Sequence, residues 1–351
     1  MTKQIPGPPP EWAPQDHIMI GWPSHIGPWG SESVLQAARL EIAGYANAVL
    51  DAGKEFQGGV TRVILVADGA ASEAAALDAV PGVEVINIPC GDTWLRDTGP
   101  ILSWRNGRLQ ARCFGFNGWG GKYLYPGDED LSGRLALHLR AERHDMGFVL
   151  EGGSVDWDGD GLILTTDECL LNPNRNVGWT RDDAENALKT AFNVTDVIWI
   201  RDGLVNDHTD GHIDNLARFV GPGHVVCQTP NGEDDPHAVR LRGVQEALLS
   251  FRSSKGGSLK ISTIPSPGRV LDEDGDIMPA SHMNFVITNQ AVIVPVYNDQ
   301  ASAAVEALKP LFPGRKVIAR PAKSVLSEGG AFHCISQQIP ARPQGEQESS
   351  E

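Results

Sequence analysis

The chain has 351 residues, 41% hydrophobic and 21% charged, with 39 glycines and a formal charge of −16. These values fit a folded, turn-rich globular protein rather than a disordered one. They argue against nucleic acid or an anionic membrane surface as partner, whereas a small cation would be drawn in.

The five cysteines, Cys90, Cys113, Cys169, Cys227 and Cys334, include no C-x-x-C pair, which argues against a disulfide framework or zinc knuckle. No apolar h-region stands near the start and no run of about eighteen apolar residues occurs. Neither secretion nor membrane insertion is expected, and a reducing cytoplasm is the default.

Residues 1–14 are Pro-rich and read as a non-core N-terminal segment, 15–339 as a single α/β domain, and 340–351 as a flexible polar tail. Leu35, Ala38, Ile42, Tyr45 and Val49 form an apolar stripe behind a Ser31 cap and predict the first helix. A lone strand follows at 63–67. The first hairpin is 99–104 with 108–114, turned by Asn106-Gly107, and the second is 154–157 with 162–166.

Thr180-Arg181-Asp182-Asp183 resembles a capping box, with Ala184, Ala187, Leu188, Ala191 and Phe192 at helical spacing behind it. Strand 196–200 precedes a third hairpin, 213–220 with 224–228. A helix then carries Ala238, Leu241, Val244 and Leu248, and a strand follows at 259–263. The fourth hairpin, 284–288 with 291–296, leads to a helix at 301–308 and a strand at 316–319; a fifth, at 331–337, is cut short. Hairpin, helix and lone strand in fixed order predict a radial or solenoid arrangement. It ranks ahead of a doubly wound sheet, which alternates strand and helix without hairpins.

Residues of catalytic type gather at the hairpin starts: Asp97, Glu151, His212 with Asp214, and Cys334. In a radial arrangement these ends would converge. Each has a plain alternative: Asp97 a turn residue, Glu151-Gly152-Gly153 a bulge, His212 a hydrogen-bonded structural histidine, Cys334 a small core residue. Neighbouring glycines and His333 weaken that reading for Cys334, because close approach to a reactive thiol needs small residues.

His208 and His212 have the spacing of a zinc pair on a helix, but Gly211 interrupts the segment and no third ligand follows. On a strand, His212 and Asp214 would point to one side. Asp156, Asp158 and Asp160 begin like a calcium loop but lack its remaining ligands, so a polar turn is expected.

Six stretches, in order, carry a resemblance: Trp94-Leu95-Arg96-Asp97-Thr98-Gly99-Pro100, Phe116-Asn117-Gly118-Trp119-Gly120-Gly121-Lys122-Tyr123, Leu150-Glu151-Gly152-Gly153, Leu171-Asn172-Pro173-Asn174-Arg175-Asn176, residues 207–215, and His333-Cys334-Ile335-Ser336-Gln337-Gln338. Together they resemble the agmatine deiminases, and more broadly the bacterial peptidyl-arginine deiminase-like branch of the guanidino-group modifying superfamily. The resemblance runs from about Trp12 to Pro340.

It implies a five-bladed α/β propeller of pentein type. It also implies Cys334 as nucleophile, His212 as general acid–base, and Glu151 as the carboxylate supporting that histidine. Asp97 and Asp214 fall on the carboxylates that hold the guanidinium, Trp94 on a pocket-lining aromatic, and Trp119 is a further substrate-binding candidate. Two departures stand out: Glu328-Gly329-Gly330-Ala331-Phe332 replaces Gly-Gly-Gly-Asn-Ile, and Ser281-His282 replaces Ser-Tyr. Both bear on the pocket beyond the guanidinium.

A guanidinium is planar and always protonated near neutrality, so its carbon is a poor electrophile. Two carboxylates can hold its N–H groups, and a thiolate, favoured by the bound cation and a protonated His212, can attack. Loss of ammonia and hydrolysis of a thiouronium would give a ureido product. No metal or organic cofactor is expected.

The leading expectation is agmatine to N-carbamoylputrescine and ammonia, which bears on polyamine biosynthesis through putrescine. Arginine, a peptidyl arginine or another guanidino compound is the close alternative. An amidinotransferase, a metallohydrolase using His208 and His212, and a binding protein rank lower. The expected partner is a small cationic guanidino substrate, with neither nucleic acid nor membrane; a homo-oligomer is left open.

Overall fold

The computed structural model describes residues 5–343, and the remainder of the expected tail, 344–351, lies outside the described residues. The fold is mixed α/β, and its named strands form five small sheets. Four follow the chain: Ile101–Arg105, Arg108–Gly115 and Glu142–Val149; Asp156–Trp157, Leu162–Thr166 and Asp196–Ile200; Ala217–Gly221, His224–Thr229 and Lys260–Pro265; Val286–Ile287, Ala291–Val296 and Lys316–Pro321. In each, the first two strands pair antiparallel across a short turn and the third is parallel to the second. A parallel partner needs a crossover. The helices Leu131–His138, Arg181–Phe192, Ala238–Ser250 and Ser302–Leu308 lie in those four crossovers.

The fifth sheet corrects the reading of a truncated last hairpin. Ser336–Pro340 pairs antiparallel with Gln15–Gly21, which runs parallel to Arg62–Ala67, with Glu84–Asn87 outside. The unit is the same one, its first two strands drawn from opposite ends of the sequence. The crossover helix is Glu32–Gly53, capped as expected by Ser31, whose hydroxyl accepts the Val34 N–H at 3.3 Å. The expected stripe, Leu35, Ala38, Ile42, Tyr45 and Val49, is fully buried, and each large apolar member contributes roughly 1.5–3 kcal/mol. Along Arg62–Ala67, Val63, Leu65 and Ala67 face one core cluster while Ile64 and Val66 face another. Burial on both faces explains the unbroken apolar run.

The Thr180 capping box forms as expected. Asp158 Oδ1 accepts the amides of Asp160 and Leu162 at 2.8 and 2.9 Å, as a polar turn requires. Two readings need correction. Residues 213–215 form a 3-10 turn, and the strand starts only at Ala217, so His212 and Asp214 do not share a strand face. The Pro-rich segment is not outside the core: Glu11 is buried. The imide carbonyls of Pro8 and Pro9 both accept from the Trp157 indole at 3.0 Å. Among the described residues no helix is long and apolar enough to cross a membrane.

Candidate active site

The residues leading into the first strand of each unit meet at one place. The turn Leu95–Thr98 precedes Ile101–Arg105 and carries Asp97. Its Oδ1 accepts the Gly153 N–H at 2.9 Å and its Oδ2 the Trp119 indole N–H at 2.9 Å. Burial, then the charges of Asp214 and Glu151, push the Asp97 carboxyl well above its ordinary range.

The 3-10 turn Ile213–Asn215 carries Asp214, whose Oδ2 accepts from His333 Nδ1 at 2.7 Å and lies 3.7 Å from Cys334 Sγ. Burial pushes Asp214 up, but the hydrogen bond and charge of His333, with smaller contributions from His212 and Arg218, bring it below the usual value. The two carboxylates facing the thiol are thus driven apart, Asp214 downward and Asp97 upward.

Cys334 is fastened by Asn284, which precedes Val286–Ile287. Asn284 Oδ1 accepts the amides of His333 and Cys334 at 2.9 and 3.3 Å, and Nδ2 lies 3.0 Å from Cys334 Sγ and from Asn215 Oδ1. A Cβ on Gly330 would stand 2.6 Å from the Trp94 ring and 3.1 Å from Cys334 Sγ, which explains the glycine ahead of the thiol. Burial, then Asp214 and Asp97, push the thiol well up, so it is neutral while the site is empty.

His212 is fully buried, and neither ring nitrogen has a hydrogen-bond partner among the described residues. Nδ1 lies 3.8 Å from Asp97 Oδ2 and Nε2 4.0 Å from Glu151 Oε2. Burial is the main cause holding its pKa down at about 3. In the empty site this favours the neutral ring. Burial also raises Glu151, against the Arg175 guanidinium, whose Nε donates to Oε1 at 2.9 Å. Arg175 also donates to the Thr209 carbonyl at 2.8 Å and pairs with Asp210, tying down the loop that enters His212.

The Glu151, Cys169 and His212 ligand atoms lie within 4.8 Å of one another, a donor set of zinc type. The Arg175 guanidinium on the same carboxylate opposes a cation there. His208 is not in this group. It packs against Tyr123 with ring centroids 6.0 Å apart.

A cavity of about 620 Å³, open mouth included, reaches Asp97 and Cys334. Its walls include Trp94, Trp119, Tyr123 and Tyr125, with Asp92 and Glu328 as further acids and no Lys or Arg among the described residues. Asp92 is pushed up to about 7 by burial, against hydrogen bonds from the Thr93 amide and the Trp94 indole. Cys169 does not line the cavity.

Of the two sequence departures, Glu328 and Gly329 face the cavity, while Ala331, Phe332 and His282 do not. Phe332 packs on Tyr45 at 4.9 Å and His282 on Tyr297 at 6.0 Å, behind the wall.

The seven residues singled out from sequence, Asp97, Glu151, His212, Asp214, Cys334, Trp94 and Trp119, all fall at this centre or on its wall. Sequence reasoning missed Glu11, Asn284 and Arg175 as members. Asn284 and Arg175 lay in stretches already noted, and an uncompensated polar residue opening an apolar strand was the available signal for Asn284.

The family described as Porphyromonas-type peptidyl-arginine deiminase matches residues 8–340. Agmatine deiminase of Pseudomonas putida is 33% identical over 360 residues, covering 95% of each chain. The structure of agmatine deiminase of Enterococcus faecalis superposes with a TM-score of 0.87 at 28% identity, covering 98% of this chain and 99% of that one. A cysteine-to-serine variant of C. jejuni agmatine deiminase with substrate bound gives 0.80 at 30% identity, covering 97% of each. With a match across 8–340 and a thiol, imidazole and carboxylates gathered at one cavity, the chain belongs to the Porphyromonas-type peptidyl-arginine deiminase family.

Proposed function

We propose that the chain is an agmatine deiminase, a hydrolase of the C–N bond of a linear amidine, with Cys334 as nucleophile. The observation that carries this reading is the cavity: the thiol and Asp97 at its inner wall, acids and aromatics around it, and no Lys or Arg among the described residues to receive a substrate carboxylate. Such a wall suits a dication with a guanidinium at one end and an ammonium at the other. Asp97 and Asp214 grip the guanidinium; Asp92 and Glu328 serve the ammonium.

The cation displaces the proton held by Asp97 and neutralises the charge that keeps Cys334 protonated. The thiol proton passes to the free ring nitrogen of His212, and Sγ bonds to the guanidinium carbon. The imidazolium returns that proton to one NH2 group, the C–N bond breaks, and ammonia leaves a thiouronium on Cys334. Neutral His212, backed by Glu151, then takes a proton from water as the oxygen bonds to carbon. The C–S bond breaks with release of N-carbamoylputrescine; Cys334 recovers its proton from His212, and the hydroxyl proton of the adduct goes to solvent. Among these steps no residue calls on a metal or organic cofactor.

The five sheets, each entered through one site segment, support an arrangement as five propeller blades about the site, with 15–339 as one catalytic domain. Five unbonded cysteines suit a reducing cytoplasm. The test is ammonia release from agmatine, arginine and arginine-terminated peptides. Agmatine should be the preferred substrate; arginine turned over equally well would refute the assignment, and no release from any of them would refute the reaction class.

A further inference from the structure

The His333 ring stands between two buried carboxylates, with Nδ1 2.7 Å from Asp214 Oδ2 and Nε2 2.8 Å from Glu11 Oε2. Where both of these oxygens accept, both nitrogens must donate, which only the doubly protonated ring can do. Glu11 is kept ionised from its other sides. Burial opposes its charge, but Arg218 and Arg96 on those sides, together with His333 itself, outweigh burial and hold it well below the ordinary range. Its Oε1 accepts the Ile287 N–H at 2.7 Å, Oε2 also pairs with Arg218, and Arg96 Nη2 is 4.0 Å away. Asp156 and Arg315 are further charges that feel it. On the far side, Asp214 faces Cys334 at 3.7 Å, with the Asp97 and His212 groups beside it.

We propose that Glu11 is a positioning residue of the deimination site: it holds His333 as an imidazolium, and His333 holds Asp214 as an ionised acceptor turned toward the guanidinium. The inference rests on the deiminase reading above, but its first test does not. No proton is transferred along the Glu11–His333–Asp214 line; it fixes charge and orientation, as a buried carboxylate does for a histidine beside a reacting group.

Replacing Glu11 by Gln removes a negative charge from Nε2, and the ring relaxes to the neutral form that donates from Nδ1 alone. Asp214 then loses a positive charge at 2.7 Å while the lost negative charge was farther away. The Asp97–Asp214 pair therefore takes up protons more readily.

Nitrogen NMR of histidine-labelled full-length protein, with His333 assigned through His333→Asn, reads the ring directly. A doubly protonated His333 at neutral pH that becomes neutral in Glu11→Gln supports the proposal. A neutral ring in the wild type overturns it, whatever the activity.

With agmatine, the acid limb of kcat/KM should move up by about one pH unit in Glu11→Gln, with KM on that limb rising roughly tenfold and plateau kcat far less affected. Glu11→Asp, which keeps the charge, should keep the native limb. A purely structural Glu11 would lower thermal stability and leave the limb in place. Should Glu11→Gln fail to fold, His333→Asn reads the same link from its other end, and an unmoved limb there also overturns the proposal. A wild type that is inactive on every guanidine contradicts the deiminase reading instead, and the NMR result still decides this one.

Discussion

Gly153 stands among His212, Asp214 and Asp97, so Gly153→Ala probes the geometry with one methyl group. A Cβ there would stand 2.6 Å from His212 Nδ1 and 3.0 Å from both Asp214 Oδ2 and Asp97 Oδ1. The backbone itself accepts alanine, since Gly153 is not among the positive-φ glycines. Ordinary contact begins at 3.4 Å, so the His212 ring must withdraw by roughly 0.8 Å, and both carboxylates by about half that.

A misplacement near 1 Å costs on the order of 100-fold in rate, or about 2.7 kcal/mol. Thermal unfolding should cost about 1–3 kcal/mol, the usual penalty for one extra methyl in a packed interior. The assay is steady-state ammonia release from agmatine alongside a melting curve. A variant that folds normally and works within about threefold of wild type would refute the claim that His212, Asp97 and Asp214 act from their observed positions.

Trp119→Phe keeps the edge contact with Phe116 but removes the indole N–H from Asp97. It should cut kcat/KM by roughly 10- to 100-fold, the worth of one hydrogen bond to a charged acceptor, and move the acid limb up. In the wild type, Asp97 must give up its proton for the guanidinium to bind, and its pKa is raised. Hence kcat/KM should climb with pH well above 3.8; a limb at the ordinary carboxylate value contradicts this. Asp92 gains its charge as pH rises through about 7, so KM for agmatine should fall across that range. KM for butylguanidine, which has no ammonium, should lack that share of the fall and follow Asp97 alone. Cys169→Ala removes a buried thiol that does not face the cavity. Turnover should stay within about threefold at a stability cost near 1 kcal/mol; a collapse in activity would move the chemistry to the Glu151–Cys169–His212 group.

The local parts of the fold were legible in the residues because local physics sets them. Asn106-Gly107 between two alternating runs names a hairpin, and Thr180 with Asp183 names a helix start. The strand Gln15–Gly21 was not legible: its antiparallel partner Ser336–Pro340 lies at the other end of the chain, and no turn joins them to betray the pairing. Glu11 was hidden for a related reason. Five prolines at 6–14 suggest an open segment, yet the ion pairs that bury Glu11 come from Arg218 and His333, hundreds of positions away. The chemistry-bearing residues could be named individually, but not their protonation. The downward shift of His212 follows from its burial, and no residue pattern near Gly211 records that burial.

The central claim, covalent attack by Cys334, is tested most directly by mass spectrometry of enzyme quenched during turnover of agmatine and then digested. The account predicts a thiouronium adduct, agmatine less ammonia, on the peptide containing Cys334, and none in Cys334→Ala. An adduct on the Cys169 peptide, or steady ammonia release by Cys334→Ala, would contradict it.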